Sequence, residues 1–329
     1  MVSLKKELQL PNLKLKNRLV MPPMATETSE SGGLVSKSLL QYYDEKSIGG
    51  YIGLIITEHG FILPEGKASK GQLSVASDDT IDGLKQLVDV IHHNKVKVVA
   101  QINHAGGAAD HFITGHESMA PTAILKNGER FGDYEMTKYD IKKVVNGFAD
   151  AAKRVKQSGF DGVEIHSAHG YLLNQFYSPL VNQRNDEYGG KLQNRIRIHL
   201  EVIDAVRDVV GNDYPIFLRL GSIDETLGGN TVDDAVQASI AFECAGIDVL
   251  DISGGMTGYV RKSRKNEQGY FSDITEAIKK EVTIPIILTG GITEPAAADR
   301  ILAEGKADMI GVGRAILRDS SWAKRAMGK

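Results

Sequence analysis

Short apolar segments recur eight times along the chain, and each is followed by a longer amphipathic segment. Most of the apolar segments are nearly continuous, as in VKVVAQI at 96–102 and IPIILTG at 284–290. Such runs are typical of parallel strands buried on both faces. The longer segments, such as KYDIKKVVNGFADAAKRVKQSG, repeat apolar residues every three or four positions, which indicates helices packed on a core. Eight strand–helix units favour an α/β fold, a closed (β/α)8 TIM barrel, over an open doubly wound sheet.

The remaining segments fit around this barrel. We expect residues 4–17, LKKELQLPNLKLKN, to form a hairpin that closes the barrel bottom. No linker or block of charge divides the chain, so residues 1–329 are expected to form a single domain. Thr231 and Thr293, each closely followed by an acidic residue, are predicted helix N-caps. The eight predicted strands are 18–23, 53–58, 96–102, 161–166, 215–220, 247–253, 284–290 and 307–313.

The composition excludes several classes of protein. Hydrophobic residues make up 42% and charged residues 25%, which is enough apolar material for a sizeable core. The formal net charge is −3, without a long block of either sign, so the sequence shows no nucleic-acid footprint. The first residues do not resemble a signal peptide, and no apolar run approaches the ~18 residues that cross a bilayer. We therefore expect a cytoplasmic protein without a membrane segment.

The single cysteine, Cys244, limits the redox and metal chemistry of the chain. It excludes an internal disulfide, a multi-cysteine zinc site and a cysteine-ligated iron–sulfur cluster held by this chain alone. Cys244 lies inside a predicted helix, in SIAFECAG, and not at a strand end. We expect it to be a small buried apolar side chain and not a nucleophile.

Polar residues and glycines gather at the carboxyl ends of seven predicted strands, where (β/α)8 barrels carry their chemistry. Seven such ends in one chain indicate a functional site. In chain order these residues are Thr57, Glu58, His59, Gln101, His104, His166, His169, Arg219, Ser253, Gly254, Gly255, Gly290, Gly291, Gly313 and Arg314.

The last two strand ends predict a phosphate site. They read TGGI and GVGR, and glycine-rich ends that open towards helix N-termini let backbone N–H groups face an anion. Arg314 can add a charged, forked contact. The simpler interpretation is that Gly290, Gly291 and Gly313 only permit tight turns, but together with Arg314 the phosphate interpretation is favoured.

Two polar side chains on predicted strands need partners inside the barrel. Arg219 ends the apolar run FLRL, and a buried arginine requires an anion. That anion is either a neighbouring carboxylate or a ligand that accumulates negative charge, such as a reduced flavin ring. Gln101 has both a donor and an acceptor, which suits the edge of a flat heterocycle, although neighbouring backbone would satisfy it equally.

The stretch EIHSAHGY places His166, His169 and Tyr171 after the fourth predicted strand. In an extended chain the two histidines would lie roughly 10 Å apart, so they meet only if the backbone turns. A zinc site would need at least a third ligand, and no recognisable metal spacing supplies one. A packed, non-catalytic pair is a second interpretation. The third is that both imidazoles hydrogen-bond one substrate oxygen, with Tyr171 either a proton donor or a packed ring.

Motifs along nearly the whole chain resemble the Old Yellow Enzyme family of FMN-dependent ene-reductases. The most specific is H-x-x-H-G-Y-L followed by S-P-x-x-N-x-R-x-D-x-Y-G-G, and the others are NRLVMPPM, GLIITEHG, QINHAG, DISGG and GVGR. The resemblance implies an FMN-containing (β/α)8 barrel. It also implies ping-pong transfer of hydride from NADH or NADPH to the β-carbon of an activated alkene. A small-molecule substrate is expected, and a homo-oligomer is compatible with the family.

The resemblance also implies roles by position. Pro23, Met24 and Ala25 would lie against the flavin ring, and His59 would contact it through its backbone. The other residues implied to bind the cofactor are Gln101, His166, Arg219, Ser253, Gly254, Gly290, Gly291, Gly313 and Arg314. His166 and His169 would hold the substrate's carbonyl or nitro oxygen, Tyr171 would protonate the α-carbon, and Thr26 would line the substrate side.

Three positions depart from the family pattern. Ala25 stands where one branch has a cysteine and another a threonine beside the flavin carbonyl. Gly107 replaces the arginine of HAGR, and Glu27 stands near a substrate-side tyrosine of one branch.

Two other functions compete with this interpretation. One is an RNA-modifying enzyme of the dihydrouridine-synthase type, which would require a catalytic cysteine and a basic surface. The other is a phosphate-binding lyase or aldolase barrel without flavin.

Overall fold

A closed barrel of eight parallel strands forms the centre of the molecule, as the sequence predicts. The computed structural model describes residues 2–126 and 129–329. Each strand pairs with the next along the chain, β8 pairs with β1, and β3 pairs with β4, which closes the circle. The strands are β1 Leu19–Met21, β2 Leu54–Ile56, β3 Lys97–Asn103, β4 Gly162–Ser167, β5 Ile216–Gly221, β6 Val249–Ser253, β7 Ile286–Thr289 and β8 Met309–Gly311.

Helices follow the strands and pack on the outside of the barrel. Their apolar faces join outward-facing strand residues in one large cluster, as Leu84 and Ile91 do with Val98. Within the described residues, no helix is both long and apolar enough to cross a membrane. The principal helices are α1 Lys37–Ser47, α2 Ile81–His93, α3 Lys138–Gln157, α4 Arg197–Val210, α5 Val232–Cys244, α6 Ser272–Lys279, α7 Pro295–Ala303, α8 Arg314–Arg318 and α9 Trp322–Ala326.

Smaller elements decorate the loops at the carboxyl ends of the strands. A short strand, Gly60–Phe61, extends the barrel beside β3. The other short elements are the helices His111–Thr114, Leu172–Tyr177 and Leu192–Arg195, the parallel pair Met119–Ala120 and Tyr134–Glu135, and the antiparallel pair Ile124–Lys126 and Glu129–Phe131.

An antiparallel hairpin closes the barrel bottom, which confirms the prediction for residues 4–17. Its strands are Leu8–Leu10 and Leu13–Leu15. The leucines of this hairpin pack in one buried cluster with the lowest inward-facing residues of the barrel. That cluster contains Leu10, Leu13, Leu15, Val20, Leu54, Ile56, Val99, Phe217, Val249, Ile287 and Met309.

The barrel interior changes from apolar to polar towards its carboxyl end. Side chains alternate along a strand, so the residue two positions beyond an inward-facing one also points inward. The residues two positions beyond four members of the apolar layer are polar. Gln101 follows Val99, Arg219 follows Phe217, Asp251 follows Val249 and Thr289 follows Ile287. The apolar layer therefore stabilises the fold, and the polar layer above it forms the floor of a site.

Two local predictions fail, and one holds. Thr231 caps α5 as predicted, because its hydroxyl accepts from the Asp234 N–H at 3.2 Å. Thr293 is not a cap: α7 begins with Pro295, and the Thr293 N–H donates to Gln268 instead. Cys244 is exposed and not buried. It lies two residues beyond the buried Phe242, about 200° round α5, and so faces away from the core.

Candidate active site

A cavity of about 730 Å³ opens at the carboxyl end of the barrel, and most of the residues singled out in the sequence line it. Its size is in the range of small-molecule and cofactor sites, roughly 300–1,000 Å³. The predicted residues that line it are Pro23, Met24, Ala25, His59, Gln101, His166, His169, Tyr171, Arg219, Ser253, Gly290, Gly291, Gly313 and Arg314.

Two predicted site residues, Thr26 and Gly254, are not among the residues that line this cavity. The Thr26 hydroxyl donates to Oε2 of Glu58 at 2.7 Å. Gly254 is buried, and its carbonyl accepts from the His169 N–H at 3.2 Å. A Cβ at Gly254 would lie 2.0 Å from the Gly258 carbonyl oxygen, so this glycine permits close backbone packing.

The backbone turns sharply after β4 and brings His166, His169 and Tyr171 together. His169 has φ 60° and Gly170 has φ 80°, both in the left-handed region, which only glycine adopts without strain. The Gly170 N–H donates to Asn174 Oδ1 at 2.8 Å and holds the turn. The rings of His166 and His169 then lie 5.1 Å apart at 89°, and the Tyr171 ring lies 5.2 Å from His166.

Hydrogen bonds hold both histidines. The Ala168 N–H donates to Nδ1 of His166 at 3.2 Å, so the neutral His166 ring carries its proton on Nε2. His169 Nε2 lies 2.7 Å from the Ser253 hydroxyl. Burial lowers the pKa of His166 well below 6.5, and the nearby His169 lowers it further. Burial, followed by the Arg219 charge, does the same to the pKa of His169. Both rings are therefore neutral hydrogen-bonding groups at pH 7.

Tyr171 stands at the start of the short helix Leu172–Tyr177 and borders the cavity. Burial raises the pKa of its hydroxyl above 10, and the Glu27 charge adds to this. His59 lies on its other side, with ring centroids 5.2 Å apart. Tyr171 therefore carries its proton at neutral pH, and its ring lies next to those of His59 and His166.

Two side-chain amides fix which nitrogen of the His59 ring carries the proton. The side-chain N–H groups of Gln72 and Asn103 reach its Nδ1 at 2.8 Å and 3.1 Å, and Gln72 is oriented because its Oε1 accepts from the Ala68 N–H. Nδ1 is thus an acceptor and Nε2 carries the proton. Burial lowers the pKa of His59 to about 4, and the Arg219 charge contributes.

Glycines at the ends of β7 and β8 line one end of the cavity. A Cβ at Gly291, where φ is 67°, would lie 2.6 Å from the Tyr270 ring. A Cβ at Gly313 would lie 2.9 Å from the sulfur of Met24. Arg314 borders the same end and donates to the Tyr270 hydroxyl at 3.3 Å. This end therefore combines exposed backbone with a cation, the chemistry that binds a phosphate.

Side chains of β3 to β6 form the floor. Gln101, which is 1% exposed, donates from Nε2 to Oε2 of Glu164 at 2.7 Å. Arg219, which is 4% exposed, places Nε 3.3 Å from Oδ2 of Asp251. Of the two partners considered for Arg219, a neighbouring carboxylate is therefore present, and the guanidinium also borders the cavity.

Comparison with known proteins identifies the family. Residues 3–329 match the model of the NADH:flavin oxidoreductase / NADH oxidase family. The chain belongs to this family. The family match removes the flavin-free lyase or aldolase among the competing functions and confirms the resemblance to Old Yellow Enzymes.

Individual relatives support the assignment to the NADH:flavin oxidoreductase family. The chain is 40% identical over 324 residues to an NADH oxidase of Thermoanaerobacter brockii, covering 97% of this chain and 50% of that one, so it spans about half the length of that relative. It is 38% identical over 310 residues to an NADPH dehydrogenase of Clostridium acetobutylicum, covering 94% of this chain and 90% of that one.

Solved structures of the family share the barrel. A 2-naphthoyl-CoA reductase complex superposes with a TM-score of 0.93 at 27% identity, covering 99% of this chain and 52% of that one. The old yellow enzyme homologue from Zymomonas mobilis superposes with a TM-score of 0.84 at 23% identity, covering 98% and 92%, which shows a common fold.

This family of oxidoreductases depends on FMN and takes electrons from NADH or NADPH. The site fits FMN on its own geometry. The cavity has a cofactor-sized volume, and a buried guanidinium stands in its floor. At one end, Gly290, Gly291 and Gly313 present backbone without a side chain. Within the described residues, no cluster of three or more metal-ligating side chains accompanies them.

Several lining residues of this flavin oxidoreductase were not predicted from the sequence. Tyr259, Lys265 and Tyr270 come from the loop between β6 and α6, and Arg318 comes from the end of α8. Loop residues carry no periodic signal, so only the basic run RKSRK hinted that this loop faces an anion. Asp251 was missed because it interrupts an otherwise apolar strand, and its inward direction follows only from the register.

Proposed function

We propose that this flavin oxidoreductase reduces the activated C=C bond of α,β-unsaturated carbonyl or nitro compounds by a ping-pong mechanism. One observation carries the proposal: His166 and His169 lie 5.1 Å apart at right angles, both neutral, with the Tyr171 ring 5.2 Å from His166. Two neutral donors beside one protonated hydroxyl suit a substrate with one oxygen to hold and one carbon to protonate.

The histidine pair binds and polarises the substrate oxygen. His166 donates from Nε2, because its Nδ1 already accepts from Ala168. His169 supplies the second donor from Nδ1, with its Nε2 accepting from the Ser253 hydroxyl at 2.7 Å. Donors fixed before the reaction stabilise the negative charge that develops on such an oxygen without reorganising. FMN held in this cavity would supply the chemistry of hydride transfer from the nicotinamide to the alkene β-carbon.

Tyr171 gives its proton to the α-carbon. Its hydroxyl is protonated at neutral pH, and it lies next to His166, so an alkene held by the histidine pair presents its α-carbon to this ring. A positioned general acid typically contributes 10²–10⁴-fold to the rate. In this proposal the Glu27 carboxylate, which helps to keep Tyr171 protonated, takes the place of the substrate-side tyrosine of one branch.

The rest of the cavity would hold the cofactor. Gln101 and Arg219 would bind its pyrimidine edge, and Pro23, Met24 and Ala25 would line the ring. Gly290, Gly291, Gly313 and Arg314 would bind the phosphate. Ala25 has only a methyl group, so it would donate no hydrogen bond to the flavin carbonyl where other branches have a cysteine or a threonine.

A phenol titration tests the oxygen-binding role. We expect the purified protein to be yellow and to form a long-wavelength charge-transfer band with phenols. Replacing His166 and His169 together by alanine should abolish that band while FMN stays bound, and the exposed His93→Ala is the matched control. Full phenol affinity in the double variant would show that the histidines do not hold the oxygen.

A turnover assay tests the reaction itself. With 2-cyclohexenone as probe and NADH or NADPH as donor under anaerobic conditions, we expect loss of the alkene in step with nicotinamide oxidation. Oxidation of the nicotinamide by dioxygen in air, with no alkene consumed anaerobically, would reduce the function to that of an oxidase.

A further inference from the structure

Three ionisable side chains meet inside the barrel on three adjacent strands. Glu164 lies on β4, Arg219 on β5 and Asp251 on β6, and they are 0%, 4% and 0% exposed. Arg219 and Asp251 stand opposite each other in the β5–β6 register, with Nε 3.3 Å from Oδ2. Two positions below them on the same strands lie Phe217 and Val249 of the apolar layer.

Each of these side chains keeps an unsatisfied polar atom. Glu164 Oε2 accepts from Gln101 and Asp251 Oδ1 accepts from Thr289 at 3.2 Å, but Glu164 Oε1, Asp251 Oδ2 and Arg219 Nε have no hydrogen-bond partner within the described structure. Two ionised carboxylates beside one guanidinium would leave a net negative charge in an apolar interior. Such a charge is costly to bury, so one carboxyl retains a proton.

The surroundings decide which carboxyl is neutral. Burial raises the pKa of Glu164 well above its usual range, and the Asp251 charge raises it further, while its hydrogen-bond partner Gln101 is uncharged. Burial also raises the pKa of Asp251, but the adjacent Arg219 charge opposes the rise. Glu164 is therefore the protonated member, and Asp251 is ionised against Arg219.

The remaining titratable neighbours of Arg219 carry no negative charge. His59, His166 and His169 face it from the loop after β2, from β4 and from the loop after β4, and all three are neutral at pH 7 because burial lowers their pKa. Tyr270, from the loop before α6, is protonated because burial raises its pKa. Asp251 is thus the carboxylate with which Arg219 forms an ion pair in the described structure.

We propose that Asp251 is a positioning residue that shares the Arg219 guanidinium with the pyrimidine edge of FMN and so makes the bound cofactor harder to reduce. Reduction adds negative charge to that edge. A guanidinium already shared with a carboxylate stabilises this charge less than a free one does. Glu164, which is neutral, contributes shape and a hydrogen bond to Gln101. This inference rests on the proposed contact between Arg219 and the flavin.

The midpoint potential of the bound FMN tests it, because a purely structural role would not raise that potential. We expect Asp251→Asn to shift the reduction equilibrium by about tenfold towards reduced cofactor, which is about 30 mV for a two-electron couple. Glu164→Gln is the matched control and should leave the potential unchanged, since the carboxyl it replaces is already neutral. Asp251→Glu keeps a carboxylate at this position, so its FMN should have the wild-type midpoint potential. Sulfite, which forms an anionic flavin adduct, should bind more tightly to Asp251→Asn in the same proportion.

Other outcomes separate this inference from the proposed function. An unchanged or lower potential in Asp251→Asn, with FMN bound, overturns the inference and leaves the function standing. A wild-type chain that binds no FMN overturns both. If Asp251→Asn does not fold, Asp251→Ser serves the same measurement. An infrared spectrum of the apoprotein at pH 7 should show a protonated buried carboxyl that Glu164→Gln removes, and a band removed by the Asp251 variant instead contradicts the charge assignment.

Discussion

The Ala168 backbone N–H donates to Nδ1 of His166 at 3.2 Å, which leaves the His166 proton on Nε2. Because burial also lowers the pKa of His166 and His169 well below 6.5, both rings stay neutral through the physiological range. We therefore expect kcat/KM for a neutral enone to show no acid limb near pH 6.5. A pH–rate profile from pH 8 to 5.5 checks this, and a fall with an apparent pKa near 6.5 would mean that a histidine protonates.

Buried histidines also predict how stability depends on pH. Burial lowers the pKa of His104 to about 4 and that of His199 to about 3, whereas an unfolded histidine has a pKa of about 6.5. Below pH 6.5 these histidines therefore bind protons in the unfolded chain but not in the folded chain. The free energy of unfolding should fall as the pH decreases from 6.5 towards 4, by up to ~1.4 kcal/mol per pH unit for each histidine.

Urea unfolding at pH 7.5, 6.0 and 5.0 measures this dependence. His199, fully buried and 2.7 Å from the Ser167 hydroxyl, provides the control. His199→Gln removes one titrating group. The unfolding free energy of this variant should therefore depend less on pH, by the contribution of one histidine, even if its overall stability also changes. An unfolding free energy that stays constant from pH 6.5 to 5 would contradict the neutral buried histidines.

Tyr171→Phe tests whether Tyr171 acts in alkene reduction and not in the reduction of the flavin by the nicotinamide. The variant keeps the ring beside His166 and His59 but removes the hydroxyl. We expect alkene reduction to slow by about 10²–10⁴-fold, with reduction of the flavin by the nicotinamide almost unchanged. Stopped-flow measurement of the two half-reactions decides the matter, and equal losses in both would assign Tyr171 to binding or packing.

Gly291→Ala should impair cofactor binding through the backbone. Gly291 has φ 67°, and a Cβ there would lie 2.6 Å from the Tyr270 ring and 2.9 Å from the Glu267 carbonyl oxygen. Gly305 is a matched control, because its φ is 70° and its Cβ would meet nothing within 4 Å. We expect FMN to dissociate at least about tenfold more readily from Gly291→Ala, a change of about 1.4 kcal/mol. Gly305→Ala should bind FMN normally, and equal effects in both variants would point to general backbone strain.

The sequence predicts the barrel well because buried parallel strands are continuous apolar runs, and eight such runs leave few other folds. It also predicts the turn after β4, since His166 and His169 meet only through one. It does not predict Asp251, because the direction of a side chain in an apolar strand depends on the register with its neighbours. Lys265 and Tyr259 reach the cavity from a loop whose course is set by tertiary contacts and not by local periodicity.

The hairpin that closes the barrel bottom should matter for stability and not for the site. Leu15 is 0% exposed and packs with the lowest layer of barrel residues, so Leu15→Ala removes buried methyl groups and leaves a cavity. We expect the free energy of unfolding to fall by about 2–5 kcal/mol, measured by chemical denaturation. Leu227→Ala is the control, because Leu227 is fully exposed and its truncation should change stability by less than ~0.5 kcal/mol. FMN affinity should be the same in both variants. A Leu15→Ala protein as stable as Leu227→Ala would mean that the hairpin does not close the core.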